Sequence, residues 1–134
     1  MSDIEHQTTD QIHAAGGLNQ DKTQAVVIVP GEPPVRLNFN AAQADQFLHG
    51  LADLRAQMLP SHPMKADLSQ EMVAISNPKW LIHPHAATES VLVHVRHPGF
   101  GWLLFALPPA TSRRLGEALI KVADAVEAKP AQTH

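Results

Sequence analysis

The chain has 134 residues, of which 44% are hydrophobic and 17% are charged, and it carries a formal net charge of −3. A chain of this size is typical of one soluble domain, which buries roughly two-thirds of the surface that its unfolded form exposes. It contains no Cys and no Tyr, and the lack of Cys excludes disulfides, thiolate nucleophiles and Cys-ligated metals. Because only 4% of the residues are aromatic, we expect an aliphatic core.

Residues 1–22 are polar, with apolar residues too sparse to form a stripe, and this pattern predicts a disordered N-terminal tail. The opening residues have neither the basic nor the apolar segment of a secretory signal, so we expect a cytoplasmic protein. The longest nearly apolar stretch, 98–110, is shorter than the roughly 20 residues of a spanning helix, and no membrane contact is expected.

In the first half of the chain, Gln24–Val29 is rich in β-branched residues and predicts a strand. A proline-rich turn follows, and residues 35–39 then alternate apolar and polar side chains as a second strand does. Asn40 and Gln43 have the spacing of a capping box, which predicts a helix over about 41–59.

In the second half, residues 67–75 and 80–82 predict extended segments, and 90–96 alternates as a half-buried strand does. Residues 102–107 are apolar on both faces, which predicts a strand in the middle of the sheet. A second helix is expected to begin at a Thr111 or Ser112 cap. Its predicted buried stripe consists of Leu115, Ala118, Leu119, Val122 and Val126.

The two halves match in character at a constant offset of 68 residues: each reads as a strand, a Pro-Gly turn, a strand and a helix. We interpret this match as the recurrence of a common ββα unit, with a true duplication as the alternative. The pattern predicts an α+β two-layer sandwich in the order ββα–βββ(β)–α, with one mainly antiparallel sheet of five or six strands and two helices on one face. We predict a single domain over 23–129, followed by a disordered tail at 130–134.

Four of the nine histidines, His83, His85, His94 and His97, lie close together in the sequence. His83 and His85 are two residues apart, so in an extended segment both point the same way, and His94 on a neighbouring strand completes three nitrogen ligands for a metal. The alternative is that these histidines are polar surface residues, because Pro84 lies between the first two and no acidic residue other than Glu89 is near.

A second candidate site is the start of the last helix, where backbone amides and side chains offer hydrogen bonds to an anion. Its residues are Arg96, Thr111, Ser112, Arg113 and Arg114. The alternative is that one hydroxyl caps the helix while the arginines are solvated or pair with Glu117. No motif of a nucleophilic enzyme or of a cofactor site occurs, and no cofactor is expected.

The sequence favours a non-enzymatic protein-interaction or binding module. Helices on one face of a sheet leave the other face in need of cover, and an apolar last strand requires a partner or a third layer. The partner would be another protein chain, with a second copy of this chain as one candidate. Trp80, Leu92 and Trp102 are the predicted contact residues. Nucleic acid is not an expected partner, because thirteen acidic residues outnumber ten dispersed basic ones.

The small size, the acidic balance, the lack of Cys and the alternation of strand pairs with helices resemble the dimeric α+β chaperones of bacterial secretion systems. This resemblance, which concerns the fold alone, implies a chaperone for a secreted substrate as a further alternative. The remaining alternative is a small-ligand or metal-binding enzyme that uses the histidine cluster or the Arg113–Arg114 helix start.

Overall fold

A computed structural model describes residues 15–128, which divide into two compact units within Met1–Ala66 and Asp67–His134. Each unit contains three strands followed by a helix. In the first unit these are β1 (Ala15–Leu18), β2 (Gln24–Val29), β3 (Val35–Asn40) and α1 (Ala41–Gln57). In the second unit they are β4 (Trp80–His85), β5 (Ser90–His97), β6 (Gly101–Leu107) and α2 (Pro109–Glu127).

The first unit has an antiparallel sheet in the order β1-β2-β3, and α1 contacts β2 and β3. The ring of Phe47 on α1 lies 5.1 Å from the ring of Phe39 on β3, measured between centroids. Phe39 pairs with Ala25, and Leu37 pairs with Val27, so these four residues share the face that α1 contacts. All four are half-buried, which makes this face the better covered one.

The predicted capping box at the start of α1 is confirmed. The Gln43 amide donates to Asn40 Oδ1 over 2.9 Å, and the Asn40 amide donates to Gln43 Oε1 over 3.0 Å. Two helix-start amides that would otherwise lack partners are thereby satisfied. The helix ends at Gln57, two residues before the predicted end.

The second unit has an antiparallel sheet in the order β4-β5-β6. The expectation that the last strand lies in the middle of the sheet is wrong, because β6 pairs with β5 alone and is an edge strand. A strand that is apolar on both faces is typical of a sheet interior. The polarity of its faces, however, does not determine whether it has one neighbouring strand or two. Pro84 lies in β4, which is the other edge strand, where a residue without an N–H is tolerated.

The predicted strand at 67–75 is also wrong. Asp67 Oδ1 accepts hydrogen bonds from the Ser69 amide and hydroxyl, which closes a local turn instead of a sheet ladder. The same hydrogen bonds from Ser69 lower the pKa of Asp67. The apolar residues of this segment have the pattern of a strand, but the hydrogen bonds to Asp67 stabilise a local turn instead.

Helix α2 begins earlier than predicted, and neither Thr111 nor Ser112 caps it. Pro108 is the N-cap, with no side-chain hydrogen bond, and Pro109 is the first helical residue. Proline suits this position because it has the required φ and the first helical N–H needs no partner. Ser112 lies inside the first turn, where its hydroxyl donates back to the Pro108 carbonyl over 3.1 Å.

Side-chain burial departs most from the sequence prediction. Within residues 15–128, no side chain is fully buried, and the predicted aliphatic core is not formed there. The stripe of α2 is exposed, with Leu119 at 63% and Val126 at 66%, so its predicted burial is wrong. Helix α2 contacts β5, and its half-buried residues are Ser112 and Gly116. Periodicity identified the apolar face of the helix but not whether anything covers it.

The α+β class is confirmed, with two helices and six antiparallel strands among the described residues. The strands form two sheets of three, where the sequence predicts one sheet. Strand β1 lies within the segment for which we predict a disordered tail, and residues 1–14 and 129–134 lie outside the described residues. No helix in the described part of the chain is long and apolar enough to cross a membrane.

Candidate interaction surface of the second unit

The register of the second sheet determines which side chains share a face. Residues that pair across antiparallel strands point to the same side, and neighbours along a strand point to opposite sides. The pairs on one side are Leu81 with His94, Leu92 with Ala106, and Arg96 with Trp102. We call this side the Leu104 face; it consists of Leu81, His83, His85, Ser90, Leu92, His94, Arg96, Trp102, Leu104 and Ala106.

The Leu104 face is both apolar and accessible. Leu81, Trp102 and Leu104 are 57%, 53% and 56% exposed, and Leu92 is half-buried. The predicted contact residues Leu92 and Trp102 therefore lie on one face. Arg96 is its one residue with a permanent charge, and no acidic residue lies on it.

The opposite side of the same sheet is also apolar. Trp80 pairs with Val95, and Phe105 pairs with Val93, which places all four on this second face. Trp80 is 67% exposed and Phe105 is 51% exposed, whereas the valines of the central strand are half-buried. The predicted contact residue Trp80 thus lies opposite Leu92 and Trp102. Both faces of this sheet have apolar side chains that are open to a partner.

Two of the predicted metal ligands come together on the Leu104 face. His83 Nε2 lies 2.9 Å from His94 Nε2, and the two rings stack at 5.0 Å between centroids. Leu92, which pairs with His83, is two residues before His94 on the central strand, so the two histidines are diagonal neighbours. Two imidazole nitrogens at this separation can both reach one metal ion, given metal–nitrogen bonds of about 2.0–2.1 Å.

The other two histidines of the cluster have different roles. His85 Nδ1 lies 2.7 Å from the Thr88 hydroxyl, at the turn that follows β4. His97 Nδ1 accepts from the amides of Gly99 and Phe100, both over 3.0 Å, and so organises the β5–β6 turn. Among the described residues, no group of three or more His, Asp or Glu side chains could hold a metal ion. The structure therefore offers two metal ligands where the sequence suggested three.

The candidate anion site is spread over two elements. Arg96 lies on the Leu104 face near the end of β5, whereas Thr111, Ser112, Arg113 and Arg114 all lie in the first turns of α2. Because the helix starts at Pro109, Arg113 and Arg114 lie inside the helix and neither is its N-cap. Arg113 and Arg114 are exposed.

One feature that the sequence analysis missed is the open backbone edge of β6. The sequence of 102–107 contains no charge and no proline, but we interpreted it as a central strand. A comparison with protein families, with curated proteins and with solved structures finds no match to this chain. The chemistry of these surfaces is therefore the basis for a functional inference.

Proposed function

We propose that this chain is a non-enzymatic protein-interaction module whose partner is a second copy of the same chain, bound through the second unit. One observation carries the proposal: no described side chain is fully buried, although a chain of this length has enough apolar residues for a core. Apolar surface left in water loses the main favourable contribution to folding. Association is the way to cover it.

The exposed area is large enough for a stable dimer. Eleven large apolar side chains in the strands and helix of the second unit are between 47% and 67% exposed. Together they present on the order of 1,000 Å² of apolar surface, since a whole aromatic side chain contributes roughly 150–250 Å² and an aliphatic one less. A standard protein interface buries about 800 Å² on each partner. The exposed apolar surface of the second unit is therefore as large as an interface of standard size requires.

The charge pattern favours a second copy as the occupant. The Leu104 face has Arg96 near one end and no acidic residue, so two copies can bring their second units together with little like-charge repulsion. A two-fold dimer uses the same patch on both subunits, which suits an uncharged apolar patch. The proposal keeps the predicted two-layer arrangement, the cytoplasmic location and the absence of nucleic acid among the partners as its own expectations.

Sedimentation velocity of the full chain at concentrations from roughly 1 to 100 μM tests the proposal, because this range spans dissociation constants near 1 μM. We expect a reversible monomer–dimer equilibrium. The midpoint of thermal unfolding should rise with concentration, because association stabilises the folded chain by mass action. A monomer throughout the range, with a constant melting temperature, would overturn the proposal.

The close approach of His83 to His94 favours a second candidate, a transition-metal site. Zinc sites use three or four protein ligands, and two imidazoles give an incomplete set. The main proposal therefore predicts that zinc at low micromolar excess leaves the melting temperature nearly unchanged. A rise of several degrees that His94→Ala abolishes and His85→Ala preserves would instead establish the metal site, because His85 is bound to Thr88.

A further inference from the structure

The described strands present four sheet edges, and three of them have features that discourage pairing with another chain. Strand β1 is four residues long and contains two glycines. Strand β3 contains Arg36, and β4 contains Pro84, which has no N–H to donate. Short length, charge and proline are the usual means by which proteins protect an exposed edge.

Strand β6 has none of these features. It is seven residues long, Gly-Trp-Leu-Leu-Phe-Ala-Leu, with no charged residue and no proline. One edge pairs with β5 along its whole length, from Gly101 opposite His97 to Leu107 opposite Val91. Within residues 15–128, no backbone hydrogen bond outside the ladders and helices involves this strand. Its outer N–H and C=O groups thus form an open row between two apolar faces.

We propose that β6 is the dimerisation edge: β6 of a second copy pairs with it in antiparallel orientation, about a two-fold axis near Leu104. This inference rests on the proposed function and specifies the element through which the two copies meet. The two sheets then become one sheet of six strands, in the order β4-β5-β6-β6-β5-β4. Two-fold symmetry requires that the two identical strands run in opposite directions, which is the geometry of an antiparallel pair.

This register also gives complementary side chains across the junction. With Leu104 opposite its own copy, Trp102 of one chain lies opposite Ala106 of the other, a large residue against a small one. Leu103 lies opposite Phe105 on the other side of the sheet. Each face of one copy continues into the same face of the other, because a two-fold axis perpendicular to a sheet does not exchange its sides. No charge is brought against its own image.

The lack of native cysteine allows a direct test by disulfide cross-linking of the full chain. Opposed residues in an antiparallel pair have Cα atoms about 4.5–5.5 Å apart, within the roughly 4.4–6.8 Å that a disulfide spans. We expect Leu104→Cys to give a covalent dimer under mild oxidation. Ile82→Cys on the β4 edge is the matched control, since Ile82 is 52% exposed against 56% for Leu104, and it should remain uncross-linked.

A charge on the edge provides a second test that does not depend on register. Leu104→Lys should weaken dimerisation by about 100-fold or more, because a lysine on a strand edge opposes pairing in any register and in the proposed register also meets its own copy. Ile82→Lys should leave dimerisation unchanged. Sedimentation velocity measures both, and amide hydrogen exchange in β5 checks that each variant retains its sheet.

The outcomes distinguish this inference from the proposed function. If the native chain dimerises, but Leu104→Lys still dimerises and cysteines at positions 103, 104 and 105 do not cross-link, β6 is not the interface and the interaction module stands. If the native chain is monomeric, both are wrong. A covalent dimer from one of the three positions, together with dissociation by Leu104→Lys, establishes the β6 junction.

Discussion

The two units have the same order of elements and differ in how the helix starts and in how polar the faces of the sheet are. In the first unit, α1 is capped by Asn40 and anchored through the contact of Phe47 with Phe39. In the second unit, α2 starts at a proline without a side-chain cap. The apolar stripes of both helices remain exposed, with Leu51 of α1 at 51% and Leu119 of α2 at 63%. The two units therefore differ in their helix starts and in their sheet faces, and not in the exposure of their helix stripes.

The two sheets also differ in the polarity of their faces. On the side of the first sheet away from the Phe39 contact, Arg36 and Asn38 accompany Val26 and Ile28, so this face is partly polar. Both faces of the second sheet have exposed Trp, Leu, Ile or Phe side chains. Because polar faces tolerate water and large apolar patches mark contact sites, we expect association to depend on the second unit.

The largest expected effect is on association through the second unit. Trp102→Ala should weaken the dimer by about 2 kcal/mol or more, roughly 30-fold in the dissociation constant, since interface tryptophans are frequent hot spots. Leu18→Ala, at a similarly exposed residue of the first unit (64% against 53%), is the control and should leave the dissociation constant unchanged. Sedimentation equilibrium measures both variants. Equal effects at the two sites would remove the distinction between the units.

A smaller effect is expected on the stability of the first unit. Phe47→Ala removes the aromatic contact with Phe39 and should cost about 1–2 kcal/mol, below the roughly 3–5 kcal/mol of a fully buried phenylalanine, because Phe47 is 48% exposed. Denaturant unfolding at several protein concentrations measures this loss. The loss should not change with concentration, since the contact lies within one chain. A loss that disappears when the dimer is dilute would place Phe47 in the interface.

The smallest expected effects are changes in stability from substitutions at the two helix starts. Asn40→Ala should cost about 1 kcal/mol, because it removes the side-chain oxygen that accepts from the Gln43 amide. Ser112→Ala should change stability by no more than a few tenths of that value, because Ser112 lies inside α2 and caps no amide. Denaturant unfolding of both variants in one buffer decides the comparison. A larger loss for Ser112→Ala would show that the helix begins later than the structure indicates.

Local sequence signals predicted the elements that depend on near neighbours. The capping box of Asn40 and Gln43, the Pro-Gly turns and the strand at 90–96 each depend on signals within a few residues, and each appears in the structure. The strand wrongly predicted at 67–75 shows the limit of such signals. There, the two hydrogen bonds of Ser69 to Asp67 favour a turn, and no distant strand offers a ladder in exchange.

The sequence by itself determined the α+β class and the apolar faces of the helices. It also predicted, as one of two alternatives, that His83 and His94 lie close together. Only the tertiary structure decided that the strands form two sheets of three, that β6 is an edge, and that His85 turns away to Thr88. Strand order and side-chain cover depend on contacts between residues far apart in the chain. Periodicity shows which face of a helix or strand is apolar. It does not show which distant segment, if any, packs against that face.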